Sequence, residues 1–458
     1  MILAIAVSGM VLLGLIVWFN ALEGRNQRHV IFVVLAITLV VEALLAGPAS
    51  EVPVGILRPR IIRQDFRPPD AVIVAALIAR TLQFRGRSFP RLGLFWFGFI
   101  TLYVAGVGVG LLSGLPVIEV LFQGKAAFYL VGGMTIAAGA DVRRLADSIA
   151  KLAVVLGFMV PIAFVIDAAR IDLSLSTPVQ RFNRLGNLSN DTVTLLTLIG
   201  AVALISEVTR EDRRFKVALA SLALLFAPLV GRQRASYLVV LAIAIVFVIL
   251  IAGSTWRKRS GATGVEIGLF AIGLIGLAIA GVALTSSPAA ILEPVTDTFG
   301  GDANARSADS RVSLYNQALS KIQDDPIVGS GVGTKVVRVA ALNASKEVDA
   351  AAHNVLLDVA LRIGLVGLGV YLIALWSTAA TALRLWRAAV DDRVAAMAVG
   401  GLMVVAGTFA KGLVEPALDK FRLSLAMGIG VGLVMAAVRG DEVTESASDE
   451  APAYMTKS

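Results

Sequence analysis

The chain contains no cysteine and only two histidines, His29 and His353, in 458 residues. Without thiols, disulfides and cysteine-based catalysis are excluded. Charge is scarce as well: 16% of residues are Asp, Glu, Lys or Arg, 57% are hydrophobic, and the mean hydropathy is +0.81. That is too little polar side chain to cover a water-soluble surface, so the chain belongs in a membrane. No HExxH, no clustered histidine and no Asp pair with ligand spacing is present, and no metal is expected. Glycines 329, 331 and 333 lack the GK[ST] continuation of a phosphate loop, which argues against a nucleotide site. The net charge of +8 is expected in loops that touch anionic lipid and is no argument for nucleic acid.

What is present is a series of apolar blocks of roughly 15–25 residues, close to the length that crosses hydrocarbon as helix. Many of their residues are Gly or Ala, which let such helices approach closely. The expected fold is all-α: a polytopic transmembrane helical bundle of 12 to 13 helices over residues 1–437. Residues 1–19 are apolar from the start with no basic leader, and read as a retained first helix rather than a cleaved signal. Orientation rests on Lys and Arg in the connections. Arg143 and Arg144, the runs 210–216 and 256–260, and Arg384, Arg387 and Arg393 form one cytoplasmic set. The opposite side then receives residues 47–68, 170–190 and the one long loop, 285–353. An odd helix count would place the N-terminus outside, and twelve helices would place both ends in the cytoplasm. The polar tail 438–458 is expected to be disordered and cytoplasmic.

Within the long extracytoplasmic loop, SADSRVSLYNQALSKIQDDP reads as an amphipathic helix. Ser310 is its expected cap, Val312, Tyr315, Leu319 and Ile322 its apolar stripe, and Pro326 its stop.

His353 is expected on the first turn of the helix that follows this loop. Exposed N–H groups there disfavour imidazolium and keep the ring able to accept a proton, and Asp349 could orient it. The plainer reading is a histidine that marks a membrane interface, as His29 does. Arg232 and Arg234, in LVGRQRASYLVV, sit in a short turn between apolar blocks. Two guanidiniums there suit a diphosphate, because a rigid fork holds two oxygens of one phosphate; snorkelling toward headgroups is the other reading. Arg181 and Arg184 lie in an outer loop, and Arg311 at the expected start of the amphipathic helix. Singly each is a solvated loop charge. Together with a neutral histidine, these cations could hold a phosphorylated donor while a hydroxyl is deprotonated.

Three stretches resemble the O-antigen ligase and polymerase family of bacterial polytopic membrane proteins. VGRQRASYLVVLAIAI is similar to a family segment that opens a helix, with Arg234 in the arginine position and Gln233 where serine is commoner. DSRVSLYNQALSKIQDDPIVGSGVGT carries Arg311, an amphipathic helix and the Pro-x-x-Gly-x-Gly-x-Gly pattern, with Val332 where an aromatic is frequent. AHNVLLDVALRIGLVGL carries His353, Asn354, Leu356, Gly364, Leu365 and Gly367. RFNRLGNLSNDTV resembles a fourth segment through Arg184 or Arg181, without its usual proline. The resemblance implies a multi-pass protein of the bacterial inner membrane with a periplasm-facing active site. It implies glycosyl transfer without metal or cofactor, from an undecaprenyl-diphosphate-linked glycan to the lipid A core or to another glycan chain. The arginines would hold the diphosphate, His353 would activate the acceptor hydroxyl, and Asp349 and Asn354 would support it. The rival class is a flippase or exporter of lipid-linked oligosaccharide, which calls for inverted repeats and cations near the bilayer midplane. Arg362, two turns into its helix, is the one such cation, expected to snorkel or reach the pocket.

Overall fold

A computed structural model describes residues 2–24, 27–45, 60–61, 64–65, 68–82, 91–170, 190–210, 212, 214–228, 234–252, 302–339, 347–350, 352–416, 418 and 420–449. The described residues form thirteen helices: α1 (Ile2–Gly24), α2 (Arg28–Leu45), α3 (Pro68–Leu82), α4 (Arg91–Leu112), α5 (Val117–Ala138), α6 (Val142–Arg170), α7 (Asn190–Val208), α8 (Phe215–Leu225), α9 (Arg234–Ala252), α10 (Asp302–Asp324), α11 (Val355–Ala388), α12 (Asp392–Gly412) and α13 (Phe421–Asp449). Two small antiparallel hairpins accompany them, β1 (Arg60–Ile61) with β2 (Gln64–Asp65) and β3 (Val336–Val339) with β4 (Glu347–Ala350). Six of the helices, α4, α5, α7, α11, α12 and α13, are long and apolar enough to cross a membrane, and four further described stretches are shorter apolar helices. The expected span at 265–284 lies outside the described residues.

Water does not drive spans together inside a bilayer, so close contact has to come from small residues. The core of the bundle shows this where α13 lies against α5 and α12: a Cβ on Gly428 would strike the Leu130 carbonyl, and one on Gly401 would crowd the Gly430 carbonyl. On the other side of α12, aromatic rings fill the space. Trp96 and Tyr371 meet edge to face at 6.0 Å, and the Trp96 indole donates to Thr378 Oγ1 at 2.9 Å.

One end of the bundle gathers the basic connections. Arg143 at the start of α6 bonds Asp391 between α11 and α12, at 2.7 Å, and Arg210 after α7 bonds Asp147 at 2.7 Å. Arg28 pairs with Glu23 and reaches the Gly139 carbonyl, which brings the α1–α2 turn to that same end. α1 therefore starts at the opposite end of the bundle.

Two expectations for α10 are corrected. α10 begins at Asp302, so Ser310 lies inside the helix rather than capping it, and Arg311 is interior too. Its buried stripe is Leu314, Ala318 and Ile322, packed on Ala360 and Leu361 of α11, while Val312 and Leu319 are exposed. The small Ala318 contributes more to that face than a count of large residues indicates. α13 runs on to Asp449 and takes in residues 438–449 of the expected tail; extending an existing helix avoids the cost of a new nucleus.

α11 breaks at Ile363 and Gly364, where φ is 71° and ψ is −178° at the glycine, a region open essentially to glycine alone. The turn after α10 fills the break. Ser330 and Gly331 N–H groups donate to the Leu361 and Arg362 carbonyls at 2.8 and 3.2 Å, and Leu365 N–H donates to the Pro326 carbonyl at 2.8 Å. A Cβ on Gly364 would collide with the Ile327 carbonyl. Gly364→Ala is therefore expected to cost about 2 kcal/mol or more, from backbone strain plus the collision. Thermal unfolding in detergent measures it, and an unshifted midpoint would contradict the interlock.

Candidate functional site

At the end of the bundle opposite the basic connections, three helix starts meet the end of α12. α7 and α9 are joined by Thr194 and Ser236, whose hydroxyls lie 3.3 Å apart. α7 and α12 are joined by Lys411, whose ammonium donates to Thr194 Oγ1 at 2.7 Å and to Asp191 Oδ1 at 3.3 Å. α11 and α12 are joined by Asn354, whose amide donates to the Leu413 carbonyl at 3.2 Å.

His353 stands immediately before this last joint. It is the one non-glycine residue with positive φ, 51°, among the described residues, and it is half-buried. A left-handed conformation away from glycine costs of order 1–3 kcal/mol and collects at functional sites. The expected first-turn position is corrected by two residues. Asn354 is the cap, its side chain accepting from the Leu356 and Leu357 N–H groups at 2.9 and 3.3 Å, so α11 begins at Val355 and His353 precedes the cap. Asp349 lies on β4 opposite Val337 and not on an early turn of α11.

Arg234 is the first residue of α9, two positions from Ser236, which places it on the first turn of one of the converging helices. Arg311 lies on α10, whose buried stripe packs on α11 seven and eight residues after His353. Arg181, Arg184 and Arg232 lie outside the described residues; the first two precede α7 and the third precedes α9.

Arg362 neither snorkels nor reaches an open pocket. It is fully buried, paired with Asp358 one turn earlier at 2.9 Å and donating to the Tyr103 hydroxyl at 3.0 Å. Tyr103 in turn donates to the Gln123 carbonyl at 3.2 Å, and Gln123 Oε1 accepts from Gly333 N–H at 2.7 Å. This buried chain ties α11, α4 and α5 to the glycine turn. The Pro-x-x-Gly-x-Gly-x-Gly and Gly-Leu-x-Gly patterns thus serve one another structurally.

Sequence reasoning missed the charged cluster formed by Asp191, Lys411, Glu415 and Lys420. Lys420 lies 2.6 Å from Glu415 and 3.3 Å from Asp191, and Lys411 is 3.8 Å from Glu415. Burial lowers the affinity of Lys420 for its proton, but Asp191 and Glu415 outweigh it and raise the pKa above the usual lysine value. Lys411, after the uncharged stretch 394–410 of α12, was the available signal, since a charge at such a position needs a partner. Beside the cluster, an apolar cleft runs down from Thr192, with Leu195, Ile199, Phe32, Leu35 and Val202 along it. No group of three or more His, Asp or Glu able to hold a metal ion occurs among the described residues.

Residues 219–372 match the family profile described as O-Antigen ligase. The matched stretch runs from α8 through the first half of α11 and takes in Arg232, Arg234, Arg311, Asp349, His353, Asn354, the glycine turn and the break in α11. The match supports a reaction of the O-antigen ligase and polymerase type for a multi-pass membrane protein. A comparison with curated proteins finds no match.

Proposed function

We propose that the chain is a metal-independent membrane glycosyltransferase that moves a glycan from an undecaprenyl-diphosphate carrier to an acceptor hydroxyl, on the periplasmic face of the bacterial inner membrane. The observation that carries this reading is a strained histidine at the meeting point of helix starts that bear or follow the arginines. His353 takes the proton of the acceptor hydroxyl, whose oxygen attacks the anomeric carbon as the bond to the carrier diphosphate breaks. The leaving diphosphate is held by Arg234 and Arg311, with Arg184, Arg181 and Arg232 from the flanking loops. Asp349 and Asn354 support the histidine. The cleft beside Thr192 has the apolar lining a polyprenyl chain needs.

Reconstitution with undecaprenyl-diphosphate glycan and, in turn, lipid A core or free glycan tests the reading. Product on one acceptor separates ligase from polymerase, and donor translocation without any transfer would replace the enzyme by a flippase. A reporter active only in the periplasm, fused at residue 320, is expected to be active, since the flanking clusters 256–260 and 384–393 read as inside. Activity of a cytoplasm-only reporter there would reverse the orientation of the site.

Arg234→Lys keeps the charge but loses the fork. It is expected to lose about 2–5 kcal/mol of transition-state stabilisation, seen as a fall in kcat/KM. Full activity of the lysine variant would reduce Arg234 to an unspecific surface charge.

A further inference from the structure

The turn that closes the break in α11 carries its two largest apolar side chains outward. Ile327 is 66% exposed and Val328 58%, one residue beyond the polar, exposed pair Asp324 and Asp325. Such a tip is unfavourable in water, and neither residue contributes to a buried cluster.

Its neighbours show what surrounds it. On α11, Leu365, Val366, Leu372, Ile373 and Trp376 are all exposed and lie on one stripe of a helix apolar enough to span a membrane. That stripe faces hydrocarbon. Ile327 sits at its upper end, because the Leu365 N–H bonds the Pro326 carbonyl and Gly364 abuts the Ile327 carbonyl. From Gly364 to Ala388 the helix measures about 36 Å at ~1.5 Å per residue, slightly more than the ~30 Å hydrocarbon core, so the break falls near one edge of that core.

The backbone beside the tip meets the same demand. Irregular backbone at membrane depth is tolerated only where its polar groups find protein partners. From Gly329 to Thr334 each N–H does: Asp325, Leu361, Arg362, Gly106 and Gly331 carbonyls accept five of them at 3.0, 2.8, 3.2, 2.9 and 3.3 Å, and Gln123 Oε1 accepts that of Gly333 at 2.7 Å.

We propose that Pro326–Val328 is a membrane-seated turn, with Ile327 and Val328 inserted at the acyl boundary of the bilayer as an upward extension of the lipid-facing stripe of α11. The occupant of this surface is bilayer lipid. The turn holds the C-terminal end of α10 at the membrane surface.

The absence of native cysteine makes the test direct. Ile327→Cys, Val328→Cys and, as the aqueous reference, Asp324→Cys alter exposed side chains only, and each full-length variant is placed in lipid nanodiscs, where both faces are open to reagent. A membrane-impermeant maleimide should label the two apolar positions about tenfold or more slowly than position 324, since an apolar surrounding raises the thiol pKa and shields it. A fluorophore attached in detergent at position 327 should then be quenched by lipids brominated along their acyl chains, and one at position 324 should not. Labelling at 327 and 328 as fast as at 324 overturns the proposal. Slow labelling without quenching by brominated lipid also overturns it, because protein, whether a second copy or another segment of this chain, would then cover the turn.

Discussion

Replacing His353 with glycine is expected to leave the protein more stable than replacing it with alanine, while in both variants turnover falls by about 100-fold to 10,000-fold, the usual contribution of positioned proton transfer. The two effects separate because they arise from different atoms. The backbone of His353 sits at φ 51°, which costs an L-residue roughly 1–2 kcal/mol and glycine almost nothing. The extra freedom of glycine in the unfolded chain takes back about 0.5–1 kcal/mol of that relief. The imidazole is what the reaction loses. His353→Ala should lose the same turnover but be the less stable of the two variants, since alanine keeps the strained φ. Initial rates of glycan transfer, donor binding and thermal unfolding on one batch of each protein decide the matter. Normal turnover by either variant removes His353 from the mechanism. Loss of donor binding together with turnover makes it a phosphate contact instead of a base.

The parts of this architecture that were legible in the sequence are those set by local pattern. Apolar blocks of span length located twelve of the described helices, because a bilayer demands length and hydropathy of each span separately. The glycines at 329, 331, 333 and 364 were visible as a pattern, but their purpose was not. Their positive φ values and the docking of one set on the other join residues on either side of the β3–β4 hairpin. The left-handed turn at His353 has no local signature either, since the residue that decides it is the capping Asn354, whose amide is held by Leu413. The charged cluster was least legible of all. Asp191 stands on the first turn of α7, and nothing near it in sequence announces a lysine more than two hundred positions away.

That cluster gives the second large effect: Lys411→Met is expected to destabilise the protein by about 3 kcal/mol, at the lower edge of the range for removing one partner of a buried charge pair. Lys411 is fully buried, and its ammonium serves Thr194, Asp191 and Glu415 at once. With methionine there, two carboxylates share the single cation Lys420, which already contacts both. This sharing is why the loss falls short of that for an isolated pair. Asp191→Asn added to Lys411→Met restores the balance of charge and should recover part of the stability, a coupling that a double-mutant cycle reads directly. The contribution of Lys420 has a defined pH window. Its folded pKa lies above the usual 10.5, so its stabilisation is complete below that value and fades only as pH rises through the folded pKa. At neutral pH the cluster is therefore fully charged at Lys420. Because Lys411 bonds Thr194 and Thr194 lies against Ser236, the variant should also disturb the first turn of α9, where Arg234 stands. KM for the lipid-linked donor should rise more than kcat falls. A fall in kcat alone, with stability and KM unchanged, would show that the ammonium touches the reacting atoms and is not a brace for the helix starts around them.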